Sequence, residues 1–171
     1  MRLIRSPEVA SEEILKNAKT ILSILRKHTE SPPKDLKDAI VLLHHIRKDV
    51  YEDLNQQQHA YWVLKAIEWL QNEDLIPNTA QMYWNPNQTG DETEPDLAVV
   101  EQGIRIIAAE VTTSVDPQGQ IDRRMALTLQ KLEFMSGKQK YYFVQSKKME
   151  ARAKTKIKRG DFDIKAVLLA D

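Results

Sequence analysis

The sequence predicts an α/β (α+β) fold with a helical N-terminal segment, and three patterns support this prediction. Apolar residues recur at helical spacing through most of the first 70 residues. Short runs rich in β-branched, aromatic and leucine residues follow between positions 81 and 169. Two further helical patterns separate the later runs. At 171 residues the chain is long enough to bury one core, so we expect one compact domain.

The first helix is predicted to begin after Ser6, since Ser is a favourable N-cap and Pro7 suits the first helical position. It should end near His28, before a linker at 29–33 that contains two prolines. One face of this helix is apolar. Its members are Ala10, Ile14, Ala18, Ile21 and Leu25.

No Gly or Pro occurs between residues 34 and 76, which leaves two alternatives. The segment forms one long bent helix, or two helices with a break between 48 and 56. Its early apolar stripe consists of Leu36, Ala39, Ile40, Leu43, Ile46 and Val50. We assign residues 1–50 to an N-terminal helical extension and residues 51–171 to an α/β core.

The remaining elements follow from apolar runs and helical spacing. Strands are predicted at 81–84, 97–100 and 104–109, then a helix at 121–135, a strand at 140–145, a helix at 148–158 and a strand at 164–169. The second and third strands form a hairpin, because only a short segment with one glycine separates them. The polar segment 85–93 is predicted to be a loop before this hairpin.

The hairpin carries one acid at the start of its first strand and another near the end of its second. With a three-residue loop at 101–103, Asp96 lies opposite Ala108 and diagonal to Glu110, with Cβ atoms roughly 7–8 Å apart on one face. Two carboxylates at that separation can reach one divalent cation. A register change of one residue would place them on opposite faces.

A simpler interpretation places Asp96 at a turn and Glu110 where a strand emerges into solvent. Against it, Glu110 interrupts an otherwise apolar strand, and a buried carboxylate needs a partner or a metal. Pro95 precedes Asp96 at the first position of the strand, where a missing N–H is least harmful.

Pro95-Asp96 followed by Glu110-Val111-Thr112 resembles the motif of the PD-(D/E)XK nuclease superfamily. The resemblance implies a restriction-endonuclease-like core, with a central mixed sheet flanked by helices, over about residues 50–169. It implies a metal-dependent DNA endonuclease of restriction or repair type. Asp96, Glu110 and the carbonyl of Val111 would bind Mg²⁺ (or Mn²⁺). Asp96, Glu110 and Thr112 occupy the catalytic positions of the motif.

Thr112 stands where the motif has a lysine, which orients or activates the attacking water and stabilises charge. A basic residue from a later element, Lys131 or Lys147, is a candidate replacement. Two alternatives remain open because of Thr112. The first is a catalytically impaired nuclease-like subunit that binds DNA or a partner protein. The second is a helical interaction module joined to a structural sheet.

Charge is balanced overall but unevenly distributed. The formal net charge is zero, so the whole chain gives no electrostatic case for nucleic acid. Between Lys138 and Arg159, however, nine bases face one acid, Glu150. A basic helix beside an acidic cluster suits a nuclease, although such helices are also common as solvated faces. The predicted DNA contacts are Lys147, Lys148, Arg152 and Lys154.

Several classes of site are excluded or not supported by the composition. The chain has no cysteine, so it contains neither disulfides nor a thiolate zinc site, and we expect a cytoplasmic location. No apolar run is long enough to span a membrane, and we expect no membrane partner. The histidines His44, His45 and His59 are not predicted to bind metal. His44 and His45 are adjacent, so their side chains point about 100° apart on a helix. A homodimer or a second protein subunit remains possible as an assembly.

Overall fold

The structure, a computed structural model, describes residues 1–85 and 94–169. It is a mixed α/β fold. The elements in chain order are β1 (Arg2–Ile4), α1 (Pro7–His28), α2 (Leu36–Asn72), β2 (Gln81–Trp84), β3 (Leu97–Glu101), β4 (Ile104–Val111), α3 (Gln120–Phe134), β5 (Gln139–Val144), α4 (Lys147–Gly160) and β6 (Lys165–Leu168). The predicted loop at 85–93 lies outside the described residues except for Asn85.

The six strands form one mixed sheet in the order β1-β2-β3-β4-β5-β6. The first four are antiparallel, whereas β4, β5 and β6 run parallel. Parallel neighbours need a crossover, and α3 and α4 provide the two crossovers. A sheet that follows a helical segment, with helices between its last strands, confirms the predicted α/β class. Strand β1 was not predicted, because three residues are too few for a periodic pattern.

Helices cover both faces of the sheet, and each face has its own core. On one face α1 and α2 pack against large residues that include Trp84, Leu97 and Phe143. On the other, α3 and α4 pack around Ala108, Tyr142 and Val144. Ala108 and Tyr142 share a face with Glu110, since side chains alternate along a strand and Glu110 pairs with Tyr142. The α3 side of the sheet is therefore the side on which Glu110 lies.

Helix α2 is a single helix of 37 residues, about 55 Å long at 1.5 Å per residue. Of the two predicted alternatives, the structure therefore shows the long helix, without a break at 48–56. Its N-cap is Asp35, whose carboxylate accepts a hydrogen bond from the Asp38 amide at 2.8 Å. The predicted boundary between residues 50 and 51 falls inside this helix, so the division into extension and core remains a prediction.

The early apolar stripe of α2 divides into two faces. Val50 is buried, and Ala39 and Ile46 are half-buried on the side toward α1. Leu36, Ile40 and Leu43, predicted as part of the same stripe, are exposed. They lie on the side of α2 that α1 does not cover.

The hairpin of β3 and β4 has a different register from the predicted one. Its turn contains two residues, Gln102 and Gly103, with φ of 50° and 78°, so Glu101 pairs with Ile104. Two consecutive positive φ angles are characteristic of a type I′ turn, the geometry that suits the twist of a hairpin. The predicted loop of three residues, and the pairing of Asp96 with Ala108, are therefore wrong.

A bulge in β4 shifts the register by one residue, and this shift places Asp96 and Glu110 on the same face of the sheet. Without it, the two-residue turn would place them on opposite faces. Val99 pairs with Ile107 but Val100 pairs with Arg105, which leaves Ile106 as the extra residue of a β-bulge. Beyond it, Leu97 pairs with Ala109. Continued by one residue, this register brings Asp96 opposite Glu110.

Candidate metal centre

A polar cavity of about 290 Å³ lies where β3 begins and β4 ends, on the α3 side of the sheet. Asp96 and Glu110 line it, as do Val111 and Thr112 from the end of β4. Helix α3 contributes Arg124, Thr128 and Lys131, which are spaced one turn apart on one side of that helix. The cavity thus collects the acidic pair of the motif and two cations from the following helix.

Asp96 is held in place by a backbone donor and a buried histidine. Its Oδ2 accepts a hydrogen bond of 2.8 Å from the Val111 amide and lies 3.2 Å from His59 Nε2. His59 belongs to α2 and is fully buried. The Val111 amide fixes one carboxylate oxygen of Asp96, whereas both ring nitrogens of His59 are buried without a partner at hydrogen-bonding angles within the described residues.

Glu110 is a buried carboxylate beside a single cation. Its Oε1 lies 3.1 Å from Lys131 Nζ, an ion-pair distance, but within the described residues this oxygen has no partner at hydrogen-bonding angles. Burial, and next the charge of Asp96, raise the pKa of Glu110 to about 8, although Lys131 acts to lower it. The site therefore holds negative charge at an energetic cost.

Lys131 connects the acidic pair to the segment that precedes it. Its Nζ also donates a hydrogen bond of 3.1 Å to the carbonyl of Glu94. Lys131 is thus placed by two oxygens, one from Glu110 on β4 and one from Glu94 just before β3. Of the two predicted replacements for the motif lysine, the structure brings Lys131 to the site. Lys147 begins α4, and the described lining of the cavity does not include it.

Thr112 lies in the cavity wall, but its polar groups serve the local structure. Its Oγ1 accepts a hydrogen bond of 3.2 Å from the Ser114 amide, and its carbonyl accepts one of 3.1 Å from Gln145. Tyr142 lies beside Thr112 in the cavity wall, and burial raises the pKa of Tyr142 to about 12. A neutral hydroxyl supplies no positive charge, so Thr112 cannot replace the motif lysine electrostatically.

The donor set fits a hard divalent cation. Asp96 and Glu110 offer carboxylate oxygens, and Glu110 Oε1 is buried without a hydrogen bond. Oxygen ligands of this kind are those that Mg²⁺ prefers. Among the described residues, no group of three or more His, Asp and Glu side chains could hold a metal ion. A third ligand from the protein would then be a backbone oxygen, such as that of Val111, or a neutral side-chain oxygen, such as that of Asn85 or Ser114, all of which line the cavity.

Sequence reasoning missed two residues at this site. His59 was set aside, and no spacing connects it with Asp96, because the contact depends on how α2 packs on the sheet. Arg124 was not considered, although it lies seven residues before Lys131 and so shares its helical face. The helical spacing of α3 was therefore a signal that could have found Arg124.

The predicted DNA contacts all lie on α4 and are exposed. Two are already paired. Arg152 donates two hydrogen bonds to Asp122, at 2.7 and 3.0 Å, and Lys154 contacts Glu150 at 2.6 Å. The hydrogen bonds from Arg152 and Lys156 hold the pKa of Asp122 well below its usual range. Lys147 and Lys148 stay exposed at the start of α4, so a role of this helix in DNA binding remains a prediction.

The fold and the site together define a mixed α/β protein with an acidic, lysine-containing cavity at the end of a β-hairpin. We compared the chain with protein-family models, with curated proteins and with solved structures, and none of the three comparisons found a match. In the part of the chain that the structure describes, no helix is long and apolar enough to cross a membrane.

Proposed function

We propose that this protein is a metal-dependent endonuclease of the PD-(D/E)XK type that hydrolyses phosphodiester bonds in DNA. The observation that carries the proposal is the pair of half-buried Asp96 and buried Glu110, with Lys131 Nζ at 3.1 Å from Glu110. The order of elements from α2 to β5 supports it, because helix, three strands, helix and strand is the order expected for a restriction-endonuclease-like core.

Asp96, Glu110 and the carbonyl of Val111 are the groups that would hold Mg²⁺ or Mn²⁺. When bound, the cation lowers the pKa of a coordinated water and stabilises the charge that develops on the phosphate. The protein contributes preorganisation. The Val111 amide fixes Asp96 before any cation arrives, and the buried ring of His59 lies beside the same oxygen.

Lys131 takes the part of the motif lysine in this proposal, although it comes from α3 rather than from β4. Its ammonium is anchored by Glu110 and by the Glu94 carbonyl, and it keeps a third donor for a phosphate oxygen or a water. Preorganised cations near a reacting phosphate stabilise its transition state more than its ground state. Moving the lysine to another element preserves the charge at the site and explains how Thr112 is tolerated.

Thr112 itself supports a second candidate function. Its polar groups are used within the protein, so it contributes no charge to catalysis. If Lys131 serves only to neutralise Glu110, the protein is a nuclease-like subunit that binds DNA or another protein without cutting.

Cleavage of supercoiled and linear DNA with Mg²⁺ or Mn²⁺ separates these functions. We expect wild-type protein to cut, and Asp96→Asn and Glu110→Gln to lose at least about a hundredfold in rate. Lys131→Met should lose activity to a similar extent, whereas the matched variant Lys37→Met, at an exposed lysine of α2 outside the described cavity lining, should stay within about twofold. No cutting by folded wild type would refute the endonuclease. Salt-sensitive DNA binding without cutting would favour the second function.

A further inference from the structure

One side of α3 presents a row of hydrogen-bond donors to the cavity of the metal centre. Arg124, Thr128 and Lys131 line this cavity, and their spacing of four and three residues places them on one side of the helix. Met125 and Leu129, on the inner side of the same helix, are buried. This burial fixes the rotation of α3, so the donor row forms one wall of the cavity.

Arg124 neutralises no acid in the part of the chain that the structure describes. Arg2 pairs with Glu13 and Arg152 with Asp122, whereas no carboxylate of the described residues lies within ion-pair distance of Arg124. The side chain of Arg124 is exposed at the cavity. Its planar guanidinium, whose geometry matches that of a phosphate, is therefore available to a ligand.

The hydroxyl of Thr128 is available as well. Thr20 and Thr155 are also helical threonines, and their hydroxyls donate to the carbonyl four residues earlier, at 3.2 and 2.9 Å. Thr128 makes no side-chain hydrogen bond to another described residue, although it has the same kind of position in a helix. The row therefore offers a neutral donor between its two cations.

The spacing of the two cations suits different phosphates of one strand. Seven residues separate Arg124 from Lys131, which is about 10.5 Å along the helix axis. Glu110 and the carbonyl of Glu94 hold the Lys131 ammonium, each at 3.1 Å, so this cation stays beside the acidic pair. A DNA strand carries one charge per 3.4 Å of axis, so about 10.5 Å reaches a phosphate up to about three nucleotides away.

The charge of the cavity also favours an anion near Arg124. The described lining contains three acids and two bases, namely Glu94, Asp96, Glu110, Arg124 and Lys131. A divalent cation bound by the acidic pair would change the formal charge of this lining from −1 to +1. Because Lys131 is already paired, the attraction for a further phosphate falls mainly on Arg124.

We propose that Arg124 binds a phosphate of the substrate strand other than the one at the metal centre, and that the strand therefore runs along α3. Thr128 donates to the same strand between the two phosphates. The inference rests on the proposed function, because the ligand is the DNA strand that the metal centre would cut. It adds that the site selects a strand with several phosphates over an isolated phosphodiester.

Equilibrium binding of two oligothymidylates in Ca²⁺, which takes the same kind of oxygen ligands as Mg²⁺, tests the inference. Both are about ten nucleotides long. One has natural phosphates throughout, and the other has neutral methylphosphonates in place of all but the central phosphate. Wild type should bind the natural strand at least about tenfold more tightly. Arg124→Gln should weaken binding of the natural strand at least about fivefold, and of the single-phosphate strand less than about twofold.

Arg123→Gln is the matched control, because Arg123 is an exposed arginine of the same helix outside the described cavity lining. It should change both affinities by less than about twofold. Arg124→Lys should recover part of the loss, since it restores the charge but not the planar set of donors. Circular dichroism checks that each variant is folded.

Equal weakening of both strands by Arg124→Gln would overturn the inference, because Arg124 would then bind the phosphate at the metal centre itself. Wild type that binds neither strand, or that binds both equally, would overturn it as well, as would equal losses in the Arg123 and Arg124 variants. Failure of the proposed function gives a different result. In that case the protein binds both strands as expected here but cuts no DNA in Mg²⁺ or Mn²⁺.

Discussion

At the scale of one residue, the buried carboxylate of Glu110 opposes the stability of the folded protein. Glu110 lies in β4 among apolar neighbours, and its carboxylate is buried next to that of Asp96. Burial raises its pKa from an ordinary 4.5 to about 8, so the folded protein favours the protonated acid. A structural role would not need a carboxylate here. A metal site would need one, because a bound cation offsets the negative charge of the two carboxylates.

The raised pKa predicts how stability depends on pH without metal. Below about 4.5 Glu110 is protonated in both states, and its pKa shift has no effect. Between about 4.5 and 8 the unfolded chain loses the proton while the folded protein keeps it, so the free energy of unfolding falls as pH rises. Glu110→Gln should therefore be more stable than wild type above pH 8, by on the order of 3 kcal/mol.

Urea titrations of both proteins in a chelating buffer measure this difference. The gain from Glu110→Gln should shrink toward pH 5, and Glu101→Gln at the end of β3 serves as the control. A difference that does not change between pH 5 and pH 9 would contradict the assigned burial of Glu110.

His59 gives a second prediction at this scale. The side chain is fully buried and its Nε2 lies beside Asp96, so His59→Ala removes packing and leaves the Asp96 carboxylate with one fewer neighbour. We expect a loss of about 2–4 kcal/mol in the free energy of unfolding. The exposed residue His44 on the same helix supplies the control, and His44→Ala should change stability by less than about 0.5 kcal/mol. Equal effects of the two variants in urea unfolding would refute the placement of His59.

At the scale of elements, the sequence predicts the two strands on either side of the turn between β3 and β4 but not their register. The apolar runs predicted both strands, because alternation and a glycine are local signals. The register was wrong, because it depends on a two-residue turn and on a bulge that no local pattern indicates. Gln102 adopts a positive φ that residues other than Gly, Asn and Asp rarely take.

The turn therefore predicts two substitutions of opposite sign. Gln102→Asn should raise the free energy of unfolding by about 0.5 kcal/mol, because Asn-Gly suits a type I′ turn better than Gln-Gly. Gly103→Ala should lower it by about 1 kcal/mol or more, since φ of 78° strains an alanine although no atom obstructs its Cβ. Thermal unfolding of both variants measures the difference. Destabilisation by both, or by neither, would contradict the turn geometry.

The α2 helix shows a different limit at this scale. Its length was left open, because the sequence between 34 and 76 contains no breaker and residues 48–56 are merely polar. Packing decides the outcome. The second half of α2 packs against both α1 and the sheet, and His28 at the end of α1 contacts Asp49 near the middle of α2, so the tertiary contacts span the region where a break was an alternative.

At the scale of the whole molecule, tertiary packing assembles a site that the chain order only suggests. The motif acids and the candidate Lys131 could be named from the sequence, because the acids share a hairpin and Lys131 follows on the next helix. His59 could not, because it approaches Asp96 from another layer and is 37 positions distant in sequence. The convergence of α2, the hairpin and α3 at one cavity is what makes the acidic pair a candidate metal centre.

Binding of Mn²⁺, followed by electron paramagnetic resonance with calorimetry as a cross-check, tests this central claim most directly. We expect about one Mn²⁺ per chain in wild type, and at least about tenfold weaker binding in both Asp96→Asn and Glu110→Gln. Substitution of an acid outside the cavity, Asp122→Asn, should leave the affinity unchanged. Wild-type protein that binds no Mn²⁺, or variants that bind it as tightly as wild type, would contradict the metal centre.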